Sequence, residues 1–114
     1  MMMSQRNQKK ITLQVKEGLV VVPLVDVLFV QSQDMWVRVY EVNGHIHHVH
    51  RTIKSLVANE LPSFIRCHRS YLVNPIAVLM FDRVKSVLKL VDGTTVPVSR
   101  RKRSAVSKRL QKEI

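Results

Sequence analysis

The chain has 114 residues, 46% of them hydrophobic, and its 19 lysines and arginines against 8 aspartates and glutamates give a formal charge of +11. That length holds one small domain with a modest core, and the hydrophobic fraction excludes a disordered chain. Cys67 is the single cysteine, which excludes an intramolecular disulfide and a zinc–thiolate cluster within one chain; no apolar run reaches the ~20 residues that span a bilayer.

Residues 1–10 are polar and basic without the apolar run of a secretion signal, and read as a flexible tail ahead of a domain over 11–114. Ile11 to Val15 alternates apolar and polar side chains, the period of a half-buried strand. Glu17-Gly18 reads as a turn, and Leu19 to Val22 as a strand that Pro23 stops. Val27-Leu28-Phe29-Val30 is continuously apolar, the pattern of a strand covered on both faces. After the polar break Ser32-Gln33-Asp34, Trp36 to Val42 alternates again. Asn43-Gly44 then predicts a tight hairpin to a return strand from His45 to His50.

Thr52 is a candidate N-cap for a helix reaching about Glu60 and ended by Pro62. Phe64 to Arg66 reads as a short strand and Tyr71-Leu72-Val73 as a return to the core. A second hairpin runs from Ser86 to Val91, through Asp92-Gly93, and back over Thr94 to Val98. A last helix is expected from Ser99 to the C-terminus, with Val106, Leu110 and Ile114 as its apolar stripe. The sum is a mainly β domain of antiparallel hairpins with one short internal helix and a C-terminal helix.

Internal ion pairing absorbs fewer than half of the cations, so the charge points to a polyanionic partner. The cations recur at separate places rather than in one amphipathic segment, which favours nucleic acid over a membrane surface. In Ser99-Arg100-Arg101-Lys102-Arg103, four cations fall in the first turn of a helix whose amino end already carries about half a positive charge. An external phosphate resolves that conflict, since free N–H groups, the dipole and arginine forks all suit its oxygens. Screening by solvent and salt is the alternative.

Phe64-Ile65-Arg66-Cys67-His68-Arg69-Ser70-Tyr71 repeats the pattern. Extended, it turns Phe64, Arg66 and His68 to one side and Ile65 and Cys67 to the other. His68-Arg69-Ser70 then bends between two anchored ends and presents Arg69 outward. His68 either hydrogen-bonds the bend or contacts phosphate, and Asn74 before Pro75 either bonds local backbone or joins the contacts. Gln33-Asp34-Met35-Trp36 links two β segments, and an exposed Trp36 there suits base edges, sugar or a thymine methyl. If Trp36 belongs to the hairpin core instead, only the tip is free.

The run Phe64-x-Arg66-x-His68-Arg69-Ser70-Tyr71-x-Val73-Asn74 resembles the signature of the LytTR DNA-binding domain, the output module of a family of bacterial transcription regulators. Val27-Leu28-Phe29-Val30-Gln31 resembles a second landmark, where an acidic residue is more usual at the position of Gln31. Asp92-Gly93 followed by Val96-Pro97-Val98-Ser99-Arg100-Arg101 resembles the closing segment. The likeness covers about residues 11–110.

The resemblance implies an elongated arrangement of small antiparallel sheets with a helix between them. It implies sequence-specific binding of duplex DNA in cytoplasmic transcription regulation, with loops in successive major grooves of direct-repeat promoter sites and two copies side by side. No catalysis, cofactor, metal or membrane insertion is implied. Gln33, Asp34, Met35, Trp36, Arg69 and Arg100 would face bases, with Arg100 foremost because its fork suits guanine. Arg51, Lys54, Arg66, His68, Ser70, Asn74, Ser99, Arg101, Lys102 and Arg103 would hold the DNA backbone. Trp36 departs from the smaller or more polar residues often found at its position. With no room for a phosphoacceptor receiver domain, the chain is expected to be a fragment of a longer response regulator or a stand-alone regulator. A receiver domain or another regulatory protein is then an expected partner.

Rival readings rest on other residues. His45-Ile46-His47-His48-Val49-His50 offers two imidazoles on each face of a strand, and a metal site needs a third ligand. A two-residue Asn43-Gly44 turn sets His47 opposite Tyr40 and His48 opposite Val39, neither a strong ligand. Cys67 and His68 are adjacent, so their side chains diverge rather than share a proton, and Cys67 reads as a small core residue. Arg66 and His68 nearby are able to lower its thiol pKa, which leaves redox sensitivity open. Binding of RNA or single strands needs several aromatic platforms, and this chain has one Trp, two Tyr and three Phe.

Overall fold

A computed structural model describes residues 9–112. The expected tail lies outside the described residues except at Lys9 and Lys10, as does Ile114 of the expected helical stripe. Lys10 already opens a strand, and the Lys9 carbonyl accepts the N–H of Leu24 at 2.8 Å.

In chain order the strands are β1 (Lys10–Val15), β2 (Gly18–Pro23), β3 (Val27–Gln33), β4 (Trp36–Glu41) and β5 (Ile46–Val49). The helix α1 (Ile53–Ala58) follows, then β6 (Ile65–His68), β7 (Tyr71–Val73), β8 (Val78–Asp82), β9 (Val87–Leu90), β10 (Thr95–Pro97) and the helix α2 (Arg103–Lys112). Every strand pairing is antiparallel. β1 and β2 form a sheet of their own, five strands pair in the order β5-β4-β3-β7-β6, and three in the order β10-β9-β8. The domain is mainly β, as its alternating segments require, and measures 40 × 40 × 25 Å.

The five-stranded sheet is the middle layer. On one face Val30, Val37, Val39 and Leu72 join Ile11, Leu13 and Val22 of the small sheet and Ile53 and Leu56 of α1 in a first core. On the other, Phe29, Ile65, Cys67 and Val73 join Leu88, Leu90, Val96 and Val98 of the three-stranded sheet and Val106 of α2 in a second. This explains the unbroken Val27-Leu28-Phe29-Val30 run, since a strand covered on both sides has no polar face. A bulge between Val27 and Phe29 breaks the alternation there, so Leu28 and Phe29 both join the second core. Phe29 stacks on its cross-strand partner Tyr40 with ring centroids 4.2 Å apart.

Thr52 caps α1, its side chain accepting from Ser55 N at 3.1 Å, a contact worth about 1 kcal/mol. The first turn falls on Lys16-Glu17, with Gly18 already paired to Val15, one residue earlier than the sequence suggested. Both glycine hairpins use three-residue loops where two-residue turns were expected. Between β4 and β5, Val42-Asn43-Gly44 forms the loop, Gly44 has φ +94°, and Gly44 N donates to Glu41 O at 3.0 Å. Between β9 and β10, Val91-Asp92-Gly93 does the same, with φ +91° at Gly93 and its N–H on Leu90 O at 2.9 Å. A glycine closing the loop in the left-handed region is the usual three-residue solution. The extra loop residue moves the register by one, so His47 lies opposite Val39 and His48 opposite Arg38. No helix among the described residues is long and apolar enough to cross a membrane.

Candidate nucleic-acid interface

Strand direction gathers the basic connections at one end of the middle sheet. β3 leaves that end at Gln33, opposite Trp36, and the β3–β4 turn closes over Asp34-Met35 with φ +56° at Asp34. β7 enters at Tyr71, opposite Gln31, and β6 ends there at His68, opposite Tyr71. β5 also finishes there, Val49 pairing with Val37, so His50 and Arg51 follow at the same edge. The five strand ends span about 19 Å at ~4.8 Å per strand.

Direct hydrogen bonds tie the connections together. Ser32 N donates to Ser70 O at 2.9 Å, joining the β3–β4 and β6–β7 turns. Ser99 N donates to Cys67 O at 2.9 Å, which sets the closing segment beside β6. His68, Arg69, Ser99, Arg101 and Lys102 together line one shallow cleft.

The β6–β7 turn is built from its own side chains. His68 Nδ1 accepts from Ser70 N at 3.0 Å, and the ring meets Tyr71 edge-on at 5.4 Å between centroids, so His68 holds the bend. Arg66 folds beneath, donating from Nη2 to Arg69 O at 2.6 Å and from Nε to His68 O at 3.3 Å. Arg66 therefore satisfies the carbonyls of the turn. Arg69 projects outward, exposed.

Past Ser99 the chain makes a 3-10 turn, Arg100–Lys102, before α2 starts at Arg103. Ser99 occupies the cap position without a side-chain cap bond. Lys102 N is the first to close onto the turn, at 2.9 Å from Ser99 O. The N–H groups of Arg100 and Arg101 thus precede the helical bonding, as at any helix start. Arg103 turns back, with Nε donating to Ser86 Oγ at 3.0 Å. Among the described residues, the side chains of Lys54, Arg69, Arg100, Arg101 and Lys102 meet no hydrogen-bond or ion-pair partner.

Trp36 stands at the same end, 47% exposed, with its ring 4.8 Å from His50. It is at the surface rather than in the hairpin core, and Gln33, Asp34 and Met35 are exposed beside it.

Besides Arg66, His68 and Arg103, two further expected backbone contacts have internal partners. Arg51 is held by Glu60 through Nη1 and Nη2, at 3.0 and 2.7 Å, and by Ser55 Oγ. The Glu60 hydrogen bonds raise the Arg51 pKa, and the same bonds lower that of Glu60 against the opposing effect of burial. Asn74 is buried at 4% exposure, its Nδ2 donating to Val27 O at 2.9 Å and Leu24 O at 3.3 Å while Oδ1 accepts from Ile76 N. That burial takes Asn74 off any surface a phosphate could meet.

The histidine strand does not assemble a ligand set. The register moves His47 against Glu41, which is buried and hydrogen-bonded to it. Among the described residues no three histidines, cysteines or carboxylates converge on a metal position. Cys67 is fully buried, and burial pushes its thiol up to about 12 against the smaller opposing pull of Arg66 and Lys102. The reactive thiolate is thereby disfavoured.

Sequence reading missed one neighbour of this end. The β8–β9 turn, Arg83-Val84-Lys85-Ser86, lies against the closing segment, with Val98 N on Ser86 O at 2.9 Å and Ser86 Oγ donating to Val98 O at 2.7 Å. Its only local signal is Asp82 three residues before Lys85, whose N–H the carboxylate accepts at 3.0 Å.

The fold is a small three-layer β domain, and this end of it gathers basic sheet connections. The sequence profile of the LytTr DNA-binding domain matches residues 17–111, and the chain belongs to that family. Among solved structures it is similar to the LytTr DNA-binding domain of a methyl-accepting/DNA response regulator from Bacillus cereus. The two share 26% identity at a TM-score of 0.74, over 91% of this chain and 98% of the other. A search of curated proteins gave no significant match.

Proposed function

We propose that this domain reads duplex DNA in bacterial transcription regulation, as the output module of a response regulator or of a regulator controlled by another protein. The observation that carries the proposal is the gathering of Gln33–Trp36, His68–Ser70 and Ser99–Lys102 at one end, linked by the Ser32–Ser70 and Ser99–Cys67 hydrogen bonds. Within those segments Asp34 is the only acid.

Arg100 and Arg69, exposed and unpaired, are the base readers, with Gln33, Asp34, Met35 and Trp36 at the neighbouring base pairs. An arginine fork on guanine O6 and N7 is the commonest specific contact in a major groove about 12 Å wide. Arg101, Lys102, Lys54 and Ser99 meet phosphates, and Arg103 and Ser70 flank them. His68 and Arg66 shape the loop from inside, and Arg51 braces the sheet edge through Glu60. The outer connections enter successive major grooves, and two copies lie side by side on direct-repeat promoter sites in the cytoplasm.

A duplex is favoured over single strands because the aromatic rings are committed inside. Phe64 is buried, and Phe29, Tyr40 and Tyr71 pack together in the second core, which leaves Trp36 as the one exposed Phe, Tyr or Trp side chain among the described residues. Single-strand readers need several such platforms. Selection of bound duplexes from a random pool, followed by competition, tests the function. The selected duplex must outcompete both a scrambled duplex and its own separated strands; equal competition by all three contradicts it.

A further inference from the structure

We infer that the β8–β9 turn, Arg83-Val84-Lys85-Ser86, is a fourth attachment point that grips the sugar–phosphate backbone beyond the closing segment. The inference rests on the DNA-binding reading above and extends it to residues outside every motif in the sequence.

Position is the first support. In the three-stranded sheet β10 runs toward Ser99 and pairs with β9 from Thr95↔Lys89 to Pro97↔Val87. β8 reaches the same end at Asp82, opposite Val87. The turn that joins β8 to β9 therefore opens on the side where the chain passes into Arg100, displaced from the middle sheet across the second core.

Rigidity is the second. The Asp82 carboxylate accepts Lys85 N, Ser86 takes φ +58°, and the Ser86 backbone and hydroxyl both bond Val98, the residue before Ser99. Arg103 Nε donates to the same hydroxyl, so the turn, the closing segment and the start of α2 form one hydrogen-bonded unit. Arg83 is held on Ser107 Oγ at 3.0 Å, with its guanidinium 5.9 Å above the Phe81 ring.

Exposure and charge are the third. Val84 is 95% exposed between two cations, and the side chain of Lys85 meets no hydrogen-bond or ion-pair partner among the described residues. An apolar side chain held in water at a rigid tip gains nothing from folding, whereas a deoxyribose face removes it from water. Lys85 beside it supplies a point charge for one phosphate, and Arg83 fixes the turn that presents it.

The test uses the full chain and its selected duplex, with binding constants measured across a salt series. Lys85→Ala lowers the slope of log K against log salt by about 0.9, the value for one lost phosphate contact, and weakens selected and scrambled duplexes alike. Lys85→Arg retains the slope. Lys89→Ala, which removes the same charge from mid-strand on β9, leaves it unchanged. Phosphate-ethylation interference disappears at the edge of the footprint in Lys85→Ala alone. The inference is overturned if Lys85→Ala keeps the wild-type slope and interference pattern while Arg101→Ala loses both. If neither Lys85→Ala nor Arg101→Ala changes the slope, the placement of the duplex at this end fails, and the inference with it. Equal losses in Lys85→Ala and Lys89→Ala reduce the effect to net charge and also overturn the local contact.

Discussion

Ser99 and Cys67 are joined backbone to backbone, the Ser99 N–H on the Cys67 carbonyl at 2.9 Å. One residue beyond each partner lie Arg100 and His68, so this bond sets the closing arginine beside the β6–β7 turn. The two segments are more than thirty residues apart in the chain, and a single ladder-like contact makes them one surface.

Arg100→Ala is expected to relax base preference, costing about 1–3 kcal/mol at one position of the site and little elsewhere. Arg101→Ala and Lys102→Ala should weaken every duplex to a similar degree. Affinities for single-base variants of the selected site, measured at fixed salt, separate the two patterns. Equal losses on selected and scrambled duplexes for Arg100→Ala would remove its reading role.

Arg51→Gln should act on stability. Glu60 has a lowered pKa because Arg51 hydrogen-bonds its carboxylate, so its contribution is present above the ordinary carboxylate range and is lost as pH falls through the folded value. The variant should unfold more easily at pH 7, by roughly 1 kcal/mol or less given that the pair is partly exposed, and should show a flatter acid limb. Its salt slope for DNA should match the wild type. Urea titrations at several pH values, with binding in parallel, check both halves.

The hairpin ladder was legible in the chain because alternation, glycine turns and the Thr52 cap are local signals. Register was less so: Asn43-Gly44 and Asp92-Gly93 mark a turn, but whether the residue before them joins the loop depends on how the strands pack. That one residue moved His47 from Tyr40 to Val39 and brought it against Glu41. The site divides along the same line. Arg69, Arg100 and Arg101 could be placed outside because no local partner competes for them. Arg51, Arg66 and Asn74 carry the same polar groups, yet their partners are Glu60, the turn carbonyls and the Val27 carbonyl. The Asn74–Val27 contact in particular joins residues that only the folded topology brings together.

Asn74→Ala should cost about 1–3 kcal/mol, since it leaves the buried carbonyl of Val27 without its donor and removes the Oδ1 acceptor for Ile76 N. The binding slope of the folded variant should not change. Denaturant midpoints at constant m-value measure the first, and a salt series measures the second.

Cys67 has a thiol pushed from its ordinary 9 up to about 12, chiefly by burial. The folded state holds that proton more tightly, so the contribution is complete below pH 9 and is lost as pH rises toward 12. The loss follows from the proton that the folded thiol keeps and the unfolded thiol releases in that window. Cys67→Ala should flatten the alkaline limb relative to the wild type in thermal melts. At pH 7.5 an aromatic disulfide reagent should label the native thiol no faster than the chain opens; labelling at the rate of a free thiol would contradict the buried assignment.

The central claim is that the duplex is received where the β3–β4 and β6–β7 turns of the middle sheet, the closing segment and the β8–β9 turn meet, and not on the opposite ends of the sheets. Amide chemical-shift mapping during titration with the selected duplex tests it most directly. The largest shifts should fall on residues 33–36, 68–70 and 99–103, with smaller ones at 50–51 and 83–86. Shifts concentrated instead on the β1–β2 sheet, the 42–44 loop or the 91–93 loop would place the DNA elsewhere and contradict the account.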